Sequence, residues 1–233
     1  MFPYMRTPTC IPRAAALLTL ALFAATGCSS STEPAADVPA TPAHSPEAAV
    51  RQMVAAWNNR SFELAAVTLA EDYEFLASSA DSLRNTTGLW LRYDELQLIR
   101  DMFEPDGLTP TVRSLHAGID RVLIAMPDSR PGKNPRWHRM IRTSFDLQTR
   151  LQRPSGEIEN YPVDGAVVFY LTRGDSAVIA PDQLSAGVEP DSTQWWIDRW
   201  EDETLAETPT QPSRHTLAQF KALFRVIRDP LNP

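Results

Sequence analysis

The sequence predicts an α+β domain, and three observations predict it. Between Pro46 and Phe103, apolar residues recur at helical spacing. After Pro110 the period changes to two and stays there through several long segments. Turn-forming stretches, Pro127 to Pro135 and Pro154-Ser155-Gly156, join those segments as hairpins. Helices first and long antiparallel strands afterwards is an α+β order.

Each element has its own signal. Ser45 suits an N-cap, Pro46 the first helical position, and Glu47 the positive helix end. Val50, Met53, Val54 and Trp57 follow at helical spacing, and Asn58-Asn59 ends this first helix. Ser61 starts a second helix with Phe62, Leu64, Ala65, Val67 and Leu69. Asp72 to Leu76 alternates as a short strand. Asp94 to Phe103 predicts a third helix, with Leu96, Ile99, Met102 and Phe103 on one side. Val112 to Met126 and Arg136 to Gln152 read as long strands, the second with Ile141, Thr143, Phe145, Leu147, Thr149 and Leu151 on one face. Tyr161 to Thr172 gives a third long strand, bent at Pro162 or Gly165, and Thr193 to Glu201 a fourth.

Beyond a polar spacer, Thr208 to Pro212, Ser213 is expected to cap a last helix carrying Leu217, Phe220, Phe224 and Ile227. Arg214, Lys221, Arg225 and Arg228 give this helix a basic rim. A basic amphipathic helix can lie on an anionic membrane. The favoured expectation is that it folds back over the acidic domain or closes its mouth, because an exposed stripe with two Phe would be sticky.

Composition excludes several classes. The 233 residues are 43% hydrophobic and 22% charged, with 20 Pro, 9 Gly and 2 Cys, and two cysteines cannot build a disulfide framework. A net charge of −7 argues against nucleic acid as a partner, which would need a basic face. No repeat of fixed period is visible. The four His, at 44, 116, 138 and 215, have no metal-ligand spacing, and no GxSxG or Gly-rich phosphate loop occurs. Neither a metal nor a cofactor is expected. Arg173-Gly174-Asp175 spells an integrin-type tripeptide, but Gly and Asp are common in turns for geometric reasons.

The first residues carry an address. Arg6 and Arg13 form a positive stretch, and Ala14 to Ala25 an apolar stretch too short to span a bilayer. Ala25-Thr26-Gly27-Cys28 follows, and it resembles the lipobox of bacterial lipoproteins, with Ala25 where that motif prefers Leu. The resemblance implies a diacylated Cys28 at the mature N-terminus. An ordinary signal peptide and a buried helix are the other readings. Removal of residues 1–27 takes away Cys10, two arginines and no acid, leaving 20 basic against 29 acidic residues, a net of −9. Ser29-Ser30 is not an inner-membrane retention signal of the enterobacterial type, so the expected location is the outer membrane of a bacterial envelope. The expected organisation is a signal peptide at 1–27, a Ser/Pro/Ala-rich tether at 28–44, an α+β domain at 45–204, and a spacer with helix at 205–233.

The order helix, helix, short strand, helix, four long strands resembles the nuclear transport factor 2-like superfamily, which includes ketosteroid isomerase and scytalone dehydratase. Trp57 to Phe62 is similar to its break between helices, Ala70 to Phe75 to the acidic and aromatic entry into its first strand, and Trp195 to Trp200 to its final strand. The resemblance implies a cone-shaped, curved antiparallel sheet wrapped around three N-terminal helices. It implies no activity, because function belongs to the site. Family enzymes place a carboxylate base in an apolar cone.

Candidates for that chemistry here are Asp198, and His116 with Asp120. His116 and Asp120 share one strand face, yet Leu115, Ile119 and Leu123 mark the opposite face as the buried one, so the pair is expected to face solvent or a sheet partner. Asp198 lies between Trp196 and Trp200 on one face. It is either a desolvated base of raised pKa or the partner of a neighbouring arginine. Arg142 and Asp146 are expected as exposed cross-strand ion-pair partners. Trp57, Tyr73, Phe75, Trp90, Tyr93, Phe103, Trp196 and Trp200 would wall a cavity for a small apolar ligand, or fill it as plain core.

The functional expectation is a lipid-anchored binding or assembly module without catalysis, reaching the membrane through its lipid and dimerising by family analogy. The alternative is an isomerase- or dehydratase-like acid–base enzyme.

Overall fold

The computed structural model describes residues 41–77, 89–105, 107, 109–174, 193–204 and 215–225. Cys28, the tether up to residue 40, Asp175, the spacer, Ser213, Arg214, Ile227 and Arg228 lie outside these residues. Ser45 opens helix α1 (Pro46–Asn59), its hydroxyl accepting from Ala48 N at 3.1 Å. Helix α1 buries Ala49, Val50, Met53, Ala56 and Trp57, and ends where Arg60 turns left-handed at φ 52°. Ser61 immediately caps α2 (Phe62–Thr68), accepting from Leu64 N at 3.2 Å. The folded body starts before Ser45: Ala43 is buried and its carbonyl accepts from Trp195 N at 2.7 Å.

Leu69 leaves the second helix directly into strand β1 (Leu69–Leu76), three residues earlier than Asp72, where alternation becomes visible in the sequence. Strand β2 (Leu89–Leu91) pairs antiparallel to β1 and leads into α3 (Arg92–Phe103). There Asp94 Oδ2 accepts from Leu91 N at 3.1 Å, satisfying a free N–H at the helix start. Because the helix starts at Arg92, its buried face is Glu95, Leu98, Ile99, Asp101 and Met102, while Leu96 and Phe103 sit half-buried at its margin.

Strands β3 (Thr111–Ile119), β4 (Met126–Pro127), β5 (His138–Gln152), β6 (Ile158–Arg173) and β7 (Trp195–Thr204) complete one unclosed sheet. Its order is β2-β1-β7-β6-β5-β3, with β4 beside β5. The long strands are antiparallel, as expected. The β1–β7 pair is parallel, which corrects the all-antiparallel expectation: β1 enters from the helices and runs alongside the last strand. A single strand over Val112–Met126 is not formed. Asp120 accepts from Ser144 N at 2.9 Å, so its side chain takes a ladder hydrogen bond and β3 leaves the sheet there.

The sheet's inner face follows the sequence pattern along β5. Ile141, Thr143, Phe145, Leu147, Thr149 and Leu151 are buried, while Arg142, Ser144, Asp146, Gln148 and Arg150 are exposed. Asn58 ties α1 to the edge strand, donating to Ala117 O at 3.0 Å and accepting from Ala117 N at 2.7 Å. Irregularities bend the sheet, among them the following. Register shifts occur between Val112 and Ser114 in β3 and at Asp198 in β7, and Gly165 takes φ 144° in mid-β6.

The last helix, α4 (Leu217–Ala222), is capped by Thr216: Gln219 N donates to Thr216 Oγ1 at 3.1 Å. It packs back on β6 and β7 with Leu217, Phe220 and Phe224 buried. Gly165→Ala puts a Cβ on a backbone conformation that L-residues rarely adopt. It is expected to cost about 1–3 kcal/mol in urea unfolding. An unchanged midpoint would show that β6 does not need this kink.

Candidate functional site

The space between helices and sheet is packed with aromatic rings. Trp57 of α1 lies 5.6 Å from Trp200 of β7, edge-on to Phe145 of β5 at 6.3 Å. Phe75 of β1 is 5.0 Å from Trp90 of β2 and 6.1 Å from Trp200. Phe220 of α4 reaches into this group, 6.2 Å from Trp57.

Beside Phe220, α4 delivers a charge. Lys221 is 0% exposed, and its Nζ donates to Glu95 Oε1 at 2.6 Å and Oε2 at 2.8 Å. Glu95, on α3, is also 0% exposed. The ammonium lies 3.6 Å from the Phe75 ring centre and 4.3 Å from that of Trp200, with Trp57 and Trp90 at 5.8 and 6.0 Å. Desolvation lowers the Lys221 pKa, and Glu95 opposes that shift. Cation–π attraction is strongest where water is excluded, about 2 kcal/mol per good contact. Burial also raises the pKa of Tyr73 well above the ordinary tyrosine value, with Glu95 adding to the effect. Tyr73 Oη, Trp57 Nε1 and Trp200 Nε1 are buried without a hydrogen-bond partner.

The helix that carries Lys221 is held at its start. Asp202 Oδ2 accepts from Ala218 N at 2.8 Å, and Thr204 Oγ1 accepts from Leu217 N at 2.7 Å. Burial raises the Asp202 pKa against its hydrogen bonds from Thr204 and Ala218 N and against the Lys221 charge. His215 stacks on Tyr161 at 3.7 Å and bridges to Val163.

The sequence candidates fall on both sides of the sheet. Trp57, Tyr73, Phe75, Trp90 and Trp200 join the inner core. Phe103 packs half-buried against it. Tyr93 does not wall the hollow: it is 77% exposed, because α3 starts early enough to turn it outward. Trp196 is also displaced, since it packs with Ala70 apart from the main core. The cause is the β7 irregularity. Tyr170 pairs with Arg199 and Leu171 with Ile197, so Asp198 is an extra residue. Trp195, Ile197 and Trp200 therefore point inward, while Trp196 and Asp198 belong to the outer face.

Asp198 is thus no base in the hollow. It is buried under the 128–137 turn, where Arg130 Nη2 donates to it at 2.9 Å and Lys133 Nζ at 3.0 Å. Arg130 also binds Asp128 at 2.7 Å and lies 4.0 Å over the Tyr170 ring. Desolvation would lower the Arg130 pKa, but Asp128 and Asp198 outweigh it and the net shift is upward. Arg130, Lys133 and Asp198 line an outer cleft of about 440 Å³ with Asp72, Glu74 and Arg199. Desolvation, then the Asp198 charge, raises the Asp72 pKa.

His116 and Asp120 do not form an acid–base pair. His116 is exposed on the edge strand. Asp120 is engaged by Ser144 Oγ at 2.5 Å and Thr143 Oγ1 at 3.0 Å, contacts that lower its pKa. Arg142 pairs with Glu203 at 2.7 Å, not with Asp146, which accepts from Gln148. Among the described residues, no group of three His, Cys, Asp or Glu is placed to hold a metal.

No protein-family model matches the chain, and no curated protein matches it in sequence. Solved structures with a similar outline include a nuclear transport factor 2-like superfamily protein from Salmonella enterica, with TM-score 0.41 and 9% identity, covering 69% of this chain and 88% of that one. A ketosteroid isomerase-like protein from Erwinia carotovora gives TM-score 0.39 and 13% identity over 66% and 89% of the two chains. ActVI-ORFA from Streptomyces coelicolor gives 0.39 and 13% over 68% and 92%. With TM-scores below 0.5, these likenesses assign neither an activity nor a ligand.

Removing one partner of a buried pair strands the other charge. Lys221→Ala and Glu95→Gln are each expected to lower unfolding free energy by about 3–5 kcal/mol, whereas Glu95→Leu with Lys221→Met recovers most of that loss. Losses that simply add in the double variant would contradict the pairing.

Proposed function

We propose that this chain is a lipid-anchored bacterial envelope protein with a nuclear transport factor 2-like domain that works without turnover, as a binding or assembly module. The observation that carries the reading is that Lys221 and its helix fill the space between helices and sheet. An acid–base site needs a carboxylate free to take a proton from a substrate within hydrogen-bond distance. Here Glu95 is fully buried and both its oxygens are held by Lys221. The other proposed acid–base groups lie elsewhere: Asp198 beneath Arg130 and Lys133, His116 and Asp120 on the edge strand.

Support for the anchor comes from the sequence. The arginines at 6 and 13, the apolar run to Ala25 and the small residues before Cys28 are what an acylated export signal requires. Acyl chains give durable attachment when more than one is present. No described helix is long and apolar enough to cross a membrane. The outer membrane is the proposed location.

Cells grown in labelled palmitate are expected to label the wild-type protein and not Cys28→Ser, and the variant is expected to leave the membrane fraction. Wild-type protein without label would refute the anchor.

A further inference from the structure

We propose that the ring faces around the Lys221 ammonium form an alkylammonium site, an aromatic cage with Glu95 at its base, which Lys221 fills in this structure and which a short primary alkylammonium ligand takes when residues 215–225 withdraw. The inference deepens the binding reading above by naming the ligand class.

Two observations meet at one place. The first is the cage itself: Phe75 and Trp200 rings at 3.6 and 4.3 Å from the ammonium, with Trp57 and Trp90 about two ångströms farther out. Ring faces attract a cation in a way that an apolar side chain of the same size does not use. The second is Glu95, which at 0% exposure meets the ammonium with both oxygens. A buried ion pair adds little stability over a well-packed apolar pair, so its distinguishing property is selectivity for a charge.

The occupant is a short element. Helix α4 spans six residues, Leu217–Ala222. Its first N–H groups are held by Asp202 and Thr204. The cage walls come from other elements: Trp57 from α1, Phe75 from β1, Trp90 from β2, Trp200 from β7 and Glu95 from α3. Withdrawal of α4 therefore leaves every recognising group on the helices and sheet of the body.

The test uses the full-length chain. Lys221→Ala deletes three methylenes and an ammonium, the atoms of n-propylammonium. Propylammonium chloride is expected to raise the Tm of Lys221→Ala saturably against sodium chloride of equal ionic strength. Neutral n-propanol is expected to do nothing. Glu95→Ala with Lys221→Ala should bind propylammonium about 10- to 100-fold more weakly, the loss of a charge-assisted hydrogen bond. If Lys221→Ala does not fold alone, recovery of native tryptophan emission on adding the salt replaces Tm, with the same comparisons.

In the wild type, the salt is expected to increase tryptic cleavage after Lys221 or Arg225 by competing for the cage. No response of Lys221→Ala beyond the sodium chloride control overturns the inference. So does an equal response to propanol or in the double variant, or a wild-type segment protected at every concentration. Palmitate labelling of Cys28 does not depend on Glu95, so failure of the anchor and failure of the cage are separately visible.

Discussion

A charge removed from water has to be held by something, and Lys221 is held by a carboxylate and a set of ring faces. The elements around it are arranged for that. Helix α3 aims Glu95 inward, the β7 irregularity brings Trp200 back to the inner face after Asp198, and β1 supplies Phe75. Asp202 and Thr204, at the end of the strand carrying Trp200, fix the start of the helix carrying Lys221. The closing of the hollow and the curvature of its wall thus share one strand.

The outer face answers a different need. The second half of β6 is buried on both sides, so something must cover its outer residues. The 128–137 turn does this with Arg130, whose guanidinium stacks on Tyr170 while bridging Asp128 and Asp198. Arginine suits the position because its planar fork stacks and bonds at once. A carboxylate between two tryptophans in sequence is therefore an anchor for a covering loop. Its desolvation is matched by two cations, which is the opposite of what a free base requires.

Much of the architecture was legible in the sequence. Ser45-Pro46 marks a helix start, and strict alternation along β5 marks an inner face, because both are local effects of backbone geometry. Strand order is not local, and nothing near Leu69 announces a parallel partner at Ile197. The extra residue at Asp198 was equally silent, so alternation grouped Trp196, Asp198 and Trp200 wrongly. The Lys221–Glu95 pair left a signal that a rim reading passes over. Lys221 stands four residues after Leu217 and three before Phe224, inside the apolar stripe. Glu95 stands at the same kind of position before Leu98, Ile99 and Met102. Charges of opposite sign set inside two apolar stripes are a pattern for a buried pair.

The most direct measurement of the central claim is the NMR spectrum of the Lys221 side chain, assigned by comparison with Lys221→Arg. Ring currents act strongly on protons seated against aromatic faces. The ε-methylene protons are expected far upfield of those of the other lysines, and the ammonium protons slow enough in exchange to show contacts to Phe75 and Trp200. Lys221 resonances that coincide with those of solvated lysines would contradict it.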